Sequence, residues 1–122
     1  AKLTEESVDY INAHGSATTQ NDLSESQAIN AVFPSKPLVS SSKSFHGHVL
    51  GAGAAIEAIT CILALKNQLT SPSPFRINQD PLCDVELTGD KAQSHKIENV
   101  LSNSFAFGGL NVSLIFSKYA NN

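Results

Sequence analysis

The amino-acid sequence predicts an α/β domain, a mixed five-stranded sheet with helices packed on it, and three observations carry that expectation. Two stretches read as strand, loop, helix units. A Pro-, Ser- and Asn-rich connection follows them, and the last third of the chain closes on two alternating runs separated by a glycine pair.

Val8 to Ala13 is a β-branched and aromatic run that stops at His14-Gly15, which reads as a strand delivering a loop. From Leu23 to Phe33, Ala28, Ile29, Val32 and Phe33 recur at helical spacing, and Asp22 can cap the first turn. Pro34 and Pro37 end that helix, and Leu38 to Ser42 is a second short strand candidate. From His48 to about Lys66 the pattern is helical again, a Gly/Ala-rich half leading into Ile56, Ile59, Ile62 and Leu63. Asn67 to Pro81 is too broken to hold regular structure for long. Val85 to Leu87 is a short strand candidate, and Asn99–Phe105 with Val112–Tyr119 form a hairpin around Gly108-Gly109.

Composition narrows the function classes. A chain of 122 residues with 41% hydrophobic and 16% charged residues supports one globular domain, spanning 1–122, with one apolar core. The net charge of −3 and the scattering of eight Lys and Arg residues leave no basic stripe for nucleic acid. Val49 to Leu65 is the longest near-apolar segment; Glu57 interrupts it, so no membrane span is expected. Cys61 and Cys83 lack CxxC spacing, so neither a disulfide framework nor a zinc site is implied, and a reducing, cytoplasmic compartment is the expectation.

Three segments hold the residues that can do chemistry. His14-Gly15-Ser16-Ala17-Thr18 lies just past the end of a predicted strand, where open α/β sheets place ligand-binding groups; its hydroxyls could equally cap the next helix. Lys43-Ser44-Phe45-His46-Gly47-His48 opens toward the Gly/Ala-rich helix, whose N-terminus disfavours protonation of a neighbouring imidazole, and a neutral imidazole can donate one hydrogen bond to a thioester oxygen. Close helix packing explains the small residues as well. Asn103 to Asn111 contains a glycine pair that could aim backbone N–H groups at an oxyanion, or simply turn a hairpin.

Taken together and in this order, the segments resemble three signature loops of the β-ketoacyl-acyl-carrier-protein synthases, condensing enzymes of the thiolase superfamily: His-Gly-Thr-x-Thr, Lys-Ser-x-x-Gly-His and Asn-Ser-Phe-Gly-Phe-Gly-Gly-x-Asn. The resemblance runs from Val8 to Phe116 and implies the C-terminal half of that fold. It implies that His14 and His48 are active-site histidines, that Lys43 is the active-site lysine, and that Glu25 is the acidic residue pairing with it. It implies further that Ser16 and Thr18 contact the pantetheine arm, that Phe107 gates the site and lends a backbone N–H to the oxyanion hole, and that Gly108, Gly109 and Asn111 belong to the same loop. Departures are Ser16 for Thr, Ala17, Thr19 and Asn21 for Ser, Pro and Gly, and Ala106 for Gly; His46 is an additional histidine, taken as structural or tuning.

The family's nucleophilic Cys belongs to the N-terminal half, and neither Cys61, inside a predicted helix, nor Cys83 matches its loop. The implied activity is decarboxylative Claisen condensation of an acyl thioester with malonyl-acyl-carrier protein, with this fragment inactive alone. The implied partners are acyl carrier protein, the N-terminal half, and a second subunit in a homodimer or heterodimer. No metal or organic cofactor is implied, because phosphopantetheine enters on the carrier protein. Two other readings keep the fold: a non-catalytic chain-length subunit of a condensing heterodimer, against which the two histidines speak, and a degradative thiolase, which should show a cysteine near Asn103–Asn111.

Overall fold

The computed structural model describes residues 1–119. After a 3-10 turn at Glu5–Ser7, the elements run β1 (Tyr10–Asn12), α1 (Thr19–Val32), β2 (Leu38–Ser40), α2 (Lys43–His46), a second 3-10 turn at Leu50–Ala52, α3 (Gly53–Asn67), β3 (Leu69–Thr70), β4 (Gln93–Ser94), β5 (Asn99–Ala106) and β6 (Leu110–Ser117). Four strands form one sheet in the order β2-β1-β5-β6, with β1 parallel to both neighbours and β5–β6 an antiparallel hairpin. The short pair β3–β4 stands apart from it.

The mixed sheet agrees with the sequence; its strand count does not. Val85–Leu87 forms no strand and meets the sheet through one bridge, Leu87 to Val39. Of the three residues only Leu87 is bridged to β2, so the run adds a single contact and no ladder at that edge.

Alternation along β1 sorts the core into two layers. Ile11 faces α1, joining Val8, Ile29, Phe33, Val39 and Leu101, while Tyr10 faces α3, joining Cys61, Ala64, Leu65, Ile97 and Val100. The sheet is therefore covered by α1 on one side and α3 on the other.

Both helices start differently from the sequence reading. Thr18 rather than Asp22 caps α1: the Thr18 hydroxyl accepts the Asn21 N–H at 3.2 Å, and Asp22 falls in the first turn. The second helix starts at Gly53 rather than His48, because Leu50 sits at φ 51° and interrupts the ladder. The stretch Leu50–Asn67 is long and apolar enough, by length and composition, to cross a bilayer. Here one side of it packs on β5 and its one carboxylate is buried in an ion pair, while 28% of the stretch as a whole is buried.

The long connection is held by polar clamps rather than by regular structure. Gln68, left-handed at φ 55°, donates to the Leu65 and Ile97 carbonyls and accepts the Ile97 N–H. Asp84 takes the Lys36 ammonium at 2.9 Å.

Candidate active site

The C-terminal ends of β1 and β2 lie side by side, and the loops that leave them carry His14 and Lys43. Their approach is close enough to demand a glycine: a Cβ on Gly15 would stand 2.5 Å from Ser41 Cβ, and its φ of +47° is a left-handed conformation that other residues rarely adopt. The Ser41 hydroxyl donates toward the His14 and Gly15 carbonyls at 3.4 and 3.3 Å. Hairpin β5–β6 supplies the third wall, for Phe105 N–H donates to His14 Nδ1 at 3.3 Å.

The neighbours of the two imidazoles fix their tautomers. His14 is 8% exposed, and its Nδ1 receives the Phe105 N–H and, at 3.5 Å, the Lys43 ammonium. Both are donors only, so the His14 proton resides on Nε2. His48 is exposed, and its Nδ1 receives the Leu50 N–H at 3.3 Å, which again leaves the proton on Nε2. The rings stand 5.5 Å apart, edge to face at 85°. Burial, then the Lys43 charge, lowers the His14 pKa below the ordinary 6.5, which favours the neutral donor form.

Lys43 is 8% exposed, and its partner corrects the sequence reading. Its ammonium pairs with Glu57 of α3, not with Glu25. Glu25, on α1, is already saturated: its two oxygens accept the His14 N–H at 2.9 Å, the Gly15 N–H at 3.0 Å, Asn21 Nδ2 at 3.0 Å and Asn103 Nδ2 at 3.1 Å. Glu25 thus ties the first and third loops together, while Glu57 neutralises the lysine and accepts a hydrogen bond from Ser104 at 3.4 Å. The sequence did hold a signal for Glu57. A single carboxylate within an apolar helical run must either face solvent or bury beside a cation.

The remaining predicted residues divide. Ser16 and Thr18 lie on the loop after His14, their hydroxyls 3.3 Å apart, with Ala17 between them at φ 57°. Thr18 is therefore a helix cap as well as a hydroxyl of this loop. Phe107 is 99% exposed at the hairpin tip, with Gly108 and Gly109 completing the turn and Asn111 in register with Phe105. The aromatic ring beside His14 is that of Phe105, at 5.4 Å between centroids, a residue the sequence reading assigned no role. Cys61 is fully buried, and burial pushes its thiol up to about 12; Cys83 is half-buried in the connection. Among the described residues no three His, Cys, Asp or Glu side chains converge as a metal would require.

A cavity of about 740 Å³ opens beside the group, and Ser16, Lys43, His48 and, from the connection, Phe75 and Arg76 are among its lining residues. It is of a size to take a small-molecule arm.

The layered mixed sheet is the fold of the thiolase-like ketosynthases, which are its structural neighbours. A solved type II polyketide synthase ketosynthase, in complex with its acyl-carrier protein, superposes with a TM-score of 0.93 at 32% identity, over 98% of this chain and 30% of that one. The chain belongs to the β-ketoacyl synthase C-terminal domain family, whose model matches residues 1–75. It is 41% identical over 119 residues to nodulation protein E of Rhizobium sp. (strain N33), covering 95% of this chain and 30% of that protein. It is also 41% identical over 121 residues to 3-oxoacyl-[acyl-carrier-protein] synthase 2 of Coxiella burnetii, covering 97% of this chain and 29% of that protein. The chain thus spans about 30% of the length of the relatives it matches.

Proposed function

We propose that this chain is the C-terminal part of a β-ketoacyl-acyl-carrier-protein synthase, and that its site drives the decarboxylation of a malonyl thioester in a Claisen condensation. The observation that carries this reading is the pair of imidazoles, each with Nδ1 occupied by a donor and Nε2–H left free. Loss of carbon dioxide leaves the electron pair of the broken C–C bond on an enolate. Its oxygen gains charge as the bond breaks, so two N–H donors stabilise the transition state more than the ground state. The carbanion then attacks the carbonyl carbon of an acyl group held as a thioester on a cysteine, whose thiolate departs.

Burial first and the Lys43 charge second favour the neutral form of His14, and Lys43, paired with Glu57, brings no unbalanced cation into the site. Ser16, which lines the cavity, and Thr18 close beside it would contact the pantetheine arm of an acyl carrier protein, and that arm brings the thioester with no further cofactor. The nucleophile lies outside this chain: Cys61 is buried with a raised pKa, and Cys83, half-buried in the connection, stands in no loop of the nucleophile's pattern. The fragment is inactive alone and works with the N-terminal part of the same enzyme, as a cytoplasmic dimer. A chain-length subunit without catalysis would have no use for the Lys43–Glu57 pair beside His14.

The test is His48→Ala in the complete enzyme. Malonyl decarboxylation should fall by about 10²–10³, while acylation of the nucleophile survives at least in part. Near-normal condensation by this variant rejects the reading.

A further inference from the structure

We propose that His46, which lies outside the family's signature, is a positioning residue that sets the direction of His48 by clamping both ends of α2. The proposal rests on the reading that His48 acts on the substrate. Helix α2 is four residues long, Lys43–His46, far below the length at which a helix holds itself together. It must nevertheless fix Lys43 at one end and His48 just beyond the other.

The side chain of His46 spans that turn. Its Nδ1 lies 2.7 Å from the Gly47 carbonyl and its Nε2 lies 3.1 Å from the Ser42 hydroxyl. A carbonyl oxygen only accepts, so Nδ1 carries the proton, and in the neutral ring Nε2 accepts from Ser42. Ser42 is the N-cap of α2 and Gly47 its C-cap. Ser42 makes no side-chain cap bond to the backbone, because its hydroxyl is directed to His46 instead. Ser42 is in turn fixed from below, its N–H donating at 3.1 Å to Asn12 of β1, two residues before His14. One line of hydrogen bonds thus runs from the strand that carries His14 to the peptide that carries His48.

Gly47 is where this line matters. It sits at φ 73°, ψ 180°, and a Cβ placed on it would meet nothing within 4 Å. The open space beside its Cα gives Gly47 no neighbour to brace it on that side, and glycine itself resists rotation least of all residues. The His46 Nδ1–H bond to the Gly47 carbonyl supplies the restraint, and with it the direction in which the His48 ring leaves the chain.

Four variants of the complete enzyme separate this role from general support. His46→Asn keeps an N–H at the position of Nδ1; His46→Gln keeps a polar atom near the position of Nε2; His46→Ala and His46→Phe keep neither. His46→Ala and His46→Phe should lower kcat for malonyl decarboxylation about tenfold or more, since small misplacements of a reacting group carry losses of that order. KM, acylation of the nucleophile and Tm should stay near the parent values, and His46→Asn should recover more of kcat than His46→Gln. The clamp is overturned if all four variants stay within about twofold of the parent, or if Gln rescues and Asn does not. Should Ala and Phe fail to fold, the order of Asn and Gln still decides. Amide exchange over residues 43–48 tests the clamp independently of the chemistry: it should quicken in His46→Ala and His46→Gln more than in His46→Asn, and equal rates in all reject the clamp. His48→Ala run alongside tells a failure of the clamp from a failure of the functional reading.

Discussion

At the scale of single residues, the site works by charge balance in a confined space. Lys43 and Glu57 are both nearly inaccessible and face each other as an ion pair, so each charge is compensated by the other rather than by water. Replacing one partner leaves the other buried and uncompensated. Glu57→Gln should destabilise the fold by about 3–5 kcal/mol in urea denaturation, and Lys43→Met/Glu57→Leu should cost clearly less than the sum of its two single changes. Additive losses would show that the two side chains do not interact. His14 gives a second prediction. Its folded pKa lies below 6.5, so the native state resists protonation there. Its contribution to stability is complete above about pH 6.5 and is lost as the pH falls through the lowered value. The acid limb of decarboxylation by the complete enzyme should therefore fall below pH 6.5, and Lys43→Met, by removing a nearby positive charge, should move it up. A limb that stays in place in Lys43→Met excludes this coupling.

At the scale of elements, the sequence discloses what periodicity and turn chemistry encode, and little of what packing decides. The strand before His14, the hairpin at Gly108-Gly109 and the existence of both long helices follow from alternation, glycine and spacing. The three loops could be recognised because their residue types are local. The apolar run around Glu57 marks a carboxylate that buries beside some cation, but not which one: Glu25 and Glu57 lie on helices over opposite faces of the sheet, and only the fold tells which of them the Lys43 ammonium reaches. The nearness of Phe105 to His14 likewise depends on strand pairing across most of the chain. Helix starts were misplaced because two nearby polar residues could each cap α1, and because one left-handed leucine breaks an otherwise helical pattern. With Thr18 identified as the cap, Thr18→Ala should cost about 1 kcal/mol of stability, and Asp22→Asn only a few tenths. The reverse order in thermal unfolding would return the cap to Asp22.

At the scale of the whole molecule, one face is unfinished. Ile59 of α3 is 59% exposed, and Ile62 and Leu63 beside it are half exposed. Val112 and Leu114 of β6 project on the same side as Phe116, which packs with the α3 layer, and they extend this apolar surface across the sheet. A surface of this kind drives association. The isolated chain should self-associate, or pair with the remainder of the longer protein, burying the 49–66 region in the contact. Sedimentation equilibrium at low micromolar concentration decides: a monomer with slow amide exchange throughout 49–66 would show that this chain covers its own core.

The central place of β1 also sets a timetable for synthesis. One neighbour, β2, leaves the ribosome soon after it, but the other, β5, pairs Tyr10 with Val100 and emerges about ninety residues later. At typical elongation rates that interval is on the order of ten seconds. Throughout it the inner edge of β1 is an unpaired strand, a template for any extended segment nearby, and His14 has no Phe105 to hold it. The nascent chain is most in need of chaperones in that interval, until β5 arrives to cover the edge.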